Sequence, residues 1–112
     1  LLLYIEALVE KRELSRAQNT LTYFMQNFRD RSYTPTATDQ ASMREEVRWQ
    51  RRIELWGEGT SFFDFKRWGL GANRTQAGSN HVYAIDVPAG DRRWVYQIPI
   101  SEIEANPNMV QN

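Results

Sequence analysis

None of the 112 residues is cysteine, and only one, His81, is histidine. The first absence removes disulfides, thiolate zinc sites and cysteine nucleophiles together, and the second leaves no histidine cluster to hold a metal. No metal and no cofactor is expected. Net charge is also lacking: 14 basic side chains balance 14 acidic ones, so no global field draws the chain to nucleic acid or to an anionic membrane. Nor is there a long apolar run. The opening LLLYIEALVEKRE is interrupted by Glu6 and Glu10, too short and too charged to span a bilayer, and it has neither the basic start nor the cleavage site of a signal peptide. The chain has no initiator methionine and enters in mid-helix, as a piece of a longer protein would. At this length one modest core is the ceiling, burying roughly two-thirds of the surface of the unfolded chain.

What is present is helical periodicity. Leu1, Ile5 and Leu8, with Leu2 and Val9 beside them, predict a helix to about residue 12 with one broad buried face. Ser15 and Gln18 fit a capping box for a second helix, whose stripe runs Leu14, Ala17, Leu21, Phe24, Met25, Phe28. So short a link predicts an antiparallel helical hairpin over 1–29. Residues 30–42 form a loop around Pro35, and Asp39 is the expected N-cap of a third helix from about 40 to 56. That helix carries Trp49, Ile53 and Trp56 on one face. Met43, Val47, Arg51, Glu54 and Glu58 lie on its neighbour, so some charges are expected inside.

Gly57 and Gly59 break the third helix, and SFFDFKRWG adds a helical turn ending near Gly69. The segment 40–69 is thus one helix, a glycine turn and a second short helix; 70–112 is richer in loops. LGANRTQAGSNH reads as an exposed loop. HVYAIDV and RRWVYQI predict a short β-hairpin across VPAGD, with Pro88 and Gly90 at the second and fourth positions of a type I turn. Ser101 and Glu104 fit a capping box for a last turn that Asn106 and Pro107 end.

The chemistry in these segments is sparse. Glu54 and Glu58 lie one helical turn apart, as paired acid and base carboxylates can. Arg51 beside them makes ion pairing the stronger reading, and no second cluster completes a catalytic site. Six basic residues from Arg44 to Arg67 interleave with tryptophans, but five acids among them leave one net positive charge, which argues against nucleic acid. GLGAN at 69–73 lacks the length and the lysine of a phosphate-binding loop. Trp94 and Tyr96, with Tyr83 opposite, form either an aromatic platform for a sugar ring or part of the core; Tyr83 and Trp94 are the ligand-binding candidates.

WQRRIELWGEGTSFFDFKRWG resembles the signature of the SusD/RagB family, in which E-R-R-x-E-L is followed by E-G-x-R-F-F-D and R-W-G. YQIPISEIEANPNMVQN is similar to the family's closing segment, and the opening helical pair is similar to the one before the signature. Gln50 and Ser61 depart from the common pattern. Arg51, Arg52, Glu54, Glu58, Gly59, Phe63, Asp64, Arg67 and Trp68 keep it.

The resemblance implies a mainly α fold, a tetratricopeptide-like scaffold of helical hairpins from an α/α superhelix, with long loops and a short β-hairpin. It implies that the signature is a buried junction. Charges can be buried there only if paired and hydrogen-bonded, so Arg51 is expected to pair with Glu54 or Glu58, and Asp64 with Arg67 or an arginine of the third helix. It also implies a non-enzymatic, cell-surface lipoprotein of Bacteroidetes. Its lipid anchor would lie N-terminal to this segment, and it would capture an oligosaccharide or polysaccharide as the lid of a TonB-dependent, SusC-like outer-membrane transporter. Peptide capture, as in the RagB branch, and a helical-repeat scaffold that holds a protein partner are the alternatives.

Overall fold

The computed structural model describes residues 1–75 and 82–112, so His81 and the end of the expected 70–81 loop lie outside the described residues. The chain falls into two compact units, Leu1–Gly59 and Thr60–Asn112.

The first unit holds three helices: α1 (Leu2–Glu10), α2 (Leu14–Phe28) and α3 (Gln40–Glu54). Its core is Leu2, Ile5, Leu8 and Val9 of α1, Ala17, Leu21 and Met25 of α2, Met43 and Val47 of α3, and Ala37 from the loop. The expected stripes meet there, with two shifts. Leu2 rather than Leu1 is buried, and Phe28 at the end of α2 is 57 % exposed. On α3 the aliphatic face won over the aromatic one, and Trp49, Ile53 and Trp56 stay exposed. A helix of this length presents one face to its neighbours, and Met43 and Val47 are the apolar positions of that face.

The link from α1 to α2 is a Schellman turn. The Glu13 N–H donates to the Leu8 carbonyl at 2.9 Å and the Arg12 N–H to Val9 at 3.0 Å, with Arg12 in the left-handed region at φ 62°. This turn displaces the expected capping box. Glu13 is the N-cap of α2 and makes no side-chain capping bond, Ser15 sits inside the first turn, and the Gln18 amide instead donates to Ala37 of the loop at 3.0 Å.

Asp39 caps α3 as its position predicts: the carboxylate accepts from the N–H groups of Ala41 at 2.8 Å and Ser42 at 3.0 Å. Those bonds to Ser42, with a smaller one to Ala41, hold the Asp39 carboxyl below the usual range. Side chains stitch the helices together. Gln40 donates to the Val9 carbonyl at the end of α1 (2.9 Å), Arg44 grips Glu10 with two bonds of 2.6 and 2.7 Å, and Arg29 holds Glu54 through its Nε and Nη2. Gln26 donates to the Tyr33 carbonyl at 2.9 Å, and the Tyr33 hydroxyl donates to Glu46 at 3.0 Å. Burial, then that bond, push the phenol above its ordinary pKa.

The second unit starts with α4 (Ser61–Trp68), which ends in the same turn as α1. Here Gly69 takes the left-handed position at φ 65°, Leu70 N–H reaches Phe65 at 2.9 Å, and Gly69 N–H reaches Lys66 at 3.2 Å. The unit has a two-stranded antiparallel sheet, but not from the predicted partners. β1 (Ala72–Asn73) pairs with β2 (Asp86–Val87) in the register Ala72 to Val87 and Asn73 to Asp86. RRWVYQI opens as a 3-10 turn, Arg92–Trp94, instead of a strand.

Two local features decide against the expected hairpin. The turn is Pro88-Ala89-Gly90-Asp91, closed by Asp91 N–H on the Pro88 carbonyl at 3.2 Å, with Gly90 third at φ 79°. A positive φ at the third position belongs to a type II turn, one residue later than the predicted type I. Asp91 then caps the 3-10 turn through the Arg93 N–H at 2.9 Å. The last helix, α5 (Ile100–Ala105), has Pro99 as its N-cap and no side-chain cap bond, so the predicted Ser101 capping box is not formed. Proline at the boundary fixes the entry, and Ser101 falls one residue inside.

Candidate functional site

The second unit gathers most of its aromatic rings on one face of α4. Phe62 and Phe65, three residues apart, both meet Trp94, with ring centroids 5.4 and 6.3 Å away, and Tyr96 packs on Phe62 at 5.4 Å. Phe65 also meets Trp68 edge-on at 6.3 Å. Trp94 is thereby 9 % exposed, and its indole N–H donates to the Pro88 carbonyl at 2.9 Å, which ties the cluster to the Pro88 turn.

A pocket of about 180 Å3 opens beside this cluster. Trp94 and Val95 form one side, Leu70 and Gly69 another, and Lys66, Ala89, Gly90 and Asp91 complete the wall. The composition, an aromatic edge with one ammonium and one carboxylate, can hold a small polar ring. Lys66 also lies 5.4 Å over the Phe62 ring. Asp91 is not free to act as a proton donor. The Arg93 guanidinium and then the Arg93 N–H hold its carboxyl far below the usual range.

Of the two ligand candidates read from the sequence, Trp94 lines this pocket, while Tyr83 is not part of its lining and is 73 % exposed. Trp94 is therefore core by burial and still forms a pocket wall. Sequence reasoning missed Phe62, Phe65 and Lys66 as its partners. Their spacing on α4, with Gly69 one turn further, was the available signal.

The signature residues divide between the units. In the first, Arg51, Glu54, Phe24, Leu55 and Leu1–Leu3 line a pocket of about 210 Å3. Glu54 is held by Arg29, the residue that follows α2, not by a neighbour on its own helix, and the pair spans 25 residues, so no local pattern announces it. That bond lowers the Glu54 pKa and keeps the carboxylate ionised, the opposite of what a general acid requires. Arg52 lies 5.7 Å over the Trp49 ring, Glu58 is exposed, and Gly59 turns the chain at φ 72°.

In the second unit Asp64 pairs with Arg67 at 2.9 Å, Arg67 lies 5.4 Å over the Trp68 ring, and Phe63 is 62 % exposed while meeting Phe62 edge-on. Among these nine residues only Asp64 is buried, so the expected burial of the signature charges is realised at that position alone. Among the described residues no group of three or more acidic, histidine or cysteine side chains could hold a metal, and no helix is long and apolar enough to cross a membrane.

Comparison with known proteins agrees with the motifs. No curated protein matches the chain, and no solved structure does. The model of the SusD family matches residues 1–112, the whole of the chain. That family is one of binding, non-enzymatic proteins, in general outer-membrane-associated lipoproteins that accompany transporters, and membership supports a nutrient-binding role in general. With its mainly helical fold, its small antiparallel sheet and a match over its full length, this chain belongs to the SusD family.

Proposed function

We propose that this chain is the C-terminal scaffold part of a cell-surface protein that captures a glycan and passes it to a TonB-dependent, SusC-like outer-membrane transporter. The family match over residues 1–112 carries this reading. Two features of the molecule support it. The pocket beside Trp94 offers an aromatic edge and polar groups of both signs, which suits a sugar ring. The pair of carboxylates most like a hydrolytic couple is disarmed, because Glu54 is spent on Arg29. The chain then contributes binding surface and rigidity, and membrane attachment comes from a lipid anchor elsewhere in the protein.

Affinity electrophoresis through gels containing a panel of neutral polysaccharides tests the reading. Retardation by at least one of them, weakened by Lys66→Ala, is the expected result. Migration unchanged across the whole panel would count against glycan capture.

A further inference from the structure

A second pocket of the Thr60–Asn112 unit, about 210 Å3, is lined by Arg92, Arg93, Val95, Gln97 and Asn112. Its lining side chains include two guanidinium groups and two amides, and none of them is acidic. Arg93 is largely engaged: Nε and Nη2 grip Asp91 at 2.9 and 2.8 Å, and Nη2 also reaches the Asp86 carbonyl at 3.1 Å. The side chains of Arg92 and Gln97 make no hydrogen bond among the described residues. Asn112 is fixed beside them by its amide, which donates to the Tyr96 carbonyl at 3.3 Å.

The backbone explains the placement. Val95 follows the 3-10 turn in extended conformation, with φ −109° and ψ 133°. Alternation then sends the Tyr96 ring to Phe62, and Val95 and Gln97 to the pocket side. The pocket therefore combines an apolar wall, an idle amide and an idle cationic fork. A guanidinium in that state matches a carboxylate, which it can hold with two parallel hydrogen bonds.

Resting on the glycan reading above, we propose that this pocket binds the carboxylate of an acidic sugar, a hexuronate residue of the captured glycan. Arg92 takes the carboxylate, Gln97 takes a ring hydroxyl, and Val95 contacts the ring. The nearby Asp91 is gripped by Arg93 and also feels the Arg92 charge, and Asp86 acts on Arg93 at longer range; both lie outside the lining and moderate the local positive potential, so the gain is a modest selectivity rather than tight binding.

Titration calorimetry of the purified protein with glucuronate and galacturonate, each beside its neutral counterpart glucose or galactose, tests this at low ionic strength. The uronates are expected to bind roughly fivefold more tightly, the size of one solvent-exposed ion pair, and the advantage should shrink with added salt. Arg92→Gln should abolish the advantage without changing thermal stability, while Arg92→Lys should keep part of it. Equal affinity for charged and neutral sugars, or an advantage that survives Arg92→Gln, overturns the inference and leaves the glycan reading in place. So does absence of sugar binding in a protein that polysaccharide gels still retard. Absence of both overturns the two together.

Discussion

Replacing Arg12 by glycine should stabilise the helical hairpin, although it removes a charged side chain and shortens no loop. Arg12 occupies the left-handed position of the Schellman turn that ends α1, at φ 62°. The same turn at the end of α4 uses Gly69 at φ 65°, with the same pair of backbone bonds, so the molecule contains both the strained and the relaxed version of one motif. A residue with a Cβ loses roughly 1–2 kcal/mol in this region, whereas glycine gives up roughly 0.5–1 kcal/mol of extra unfolded-chain entropy. The difference favours glycine by about 0.5–1 kcal/mol. The Arg12 guanidinium makes no hydrogen bond among the described residues, so little is lost on the other side. For a unit of this size that is a rise in melting temperature of roughly 2–6 °C, and Gly69→Ala should lower stability by a similar amount. Thermal and urea unfolding followed by circular dichroism would measure both. A lower melting temperature for Arg12→Gly would refute the reasoning, since it would mean that the arginine side chain stabilises the turn by more than its backbone strain costs.

The sheet gives a steric prediction: a Cβ on Gly71 would lie 2.6 Å from the Val87 carbonyl oxygen and 3.0 Å from Pro88 Cα, both backbone. Gly71→Ala should cost about 1–3 kcal/mol and speed hydrogen exchange at Arg74, whose N–H donates to Ile85 at 2.7 Å. Trp94→Phe keeps a ring against Phe62 and loses only the indole bond to Pro88, whose carbonyl still accepts from Asp91; a loss of about 1 kcal/mol in urea unfolding is expected. Trp94→Ala, which removes the ring that Phe62 and Phe65 share, should cost about 3–5 kcal/mol and weaken the aromatic circular dichroism signal. Asp39 has its folded pKa depressed, so its contribution is complete above the unfolded value near pH 4 and is lost as pH falls through the lower folded value. Asp39→Asn, which caps without titrating, should flatten that acid limb in a pH series of melting temperatures.

The helices were legible because their signal is local. The stripe of α2 and the Asp39 cap depend on spacing within one or two turns, and Met43 and Val47 were already placed on one face of α3. Choosing between that face and the Trp49 face was beyond periodicity, since both carry apolar residues and only the packing of α1 against α3 selects one. The caps that failed were local patterns overruled by neighbours: the Schellman turn fixed the entry of α2 one residue before Ser15, and Pro99 did the same for Ser101. The hairpin failed because two candidate strands flanked a turn motif, yet an Asx-type cap at Asp91 made the second one coil into a 3-10 turn. Trp94 was singled out by residue type, but its partners on α4 were not, because the contact joins segments about 30 residues apart in the chain.

By itself the sequence determined the mainly helical class, the breaks at Gly57, Gly59 and Gly69, and membership in the family, because periodicity, capping chemistry and motif order are properties of short stretches read in succession. Only the tertiary structure decided that Glu54 answers to Arg29, that Trp94 is at once core and pocket wall, and that the Arg92 guanidinium makes no hydrogen bond among the described residues. Each of those outcomes depends on which distant side chain arrives first at hydrogen-bonding or van der Waals range, and that is set by packing rather than by spacing along the chain.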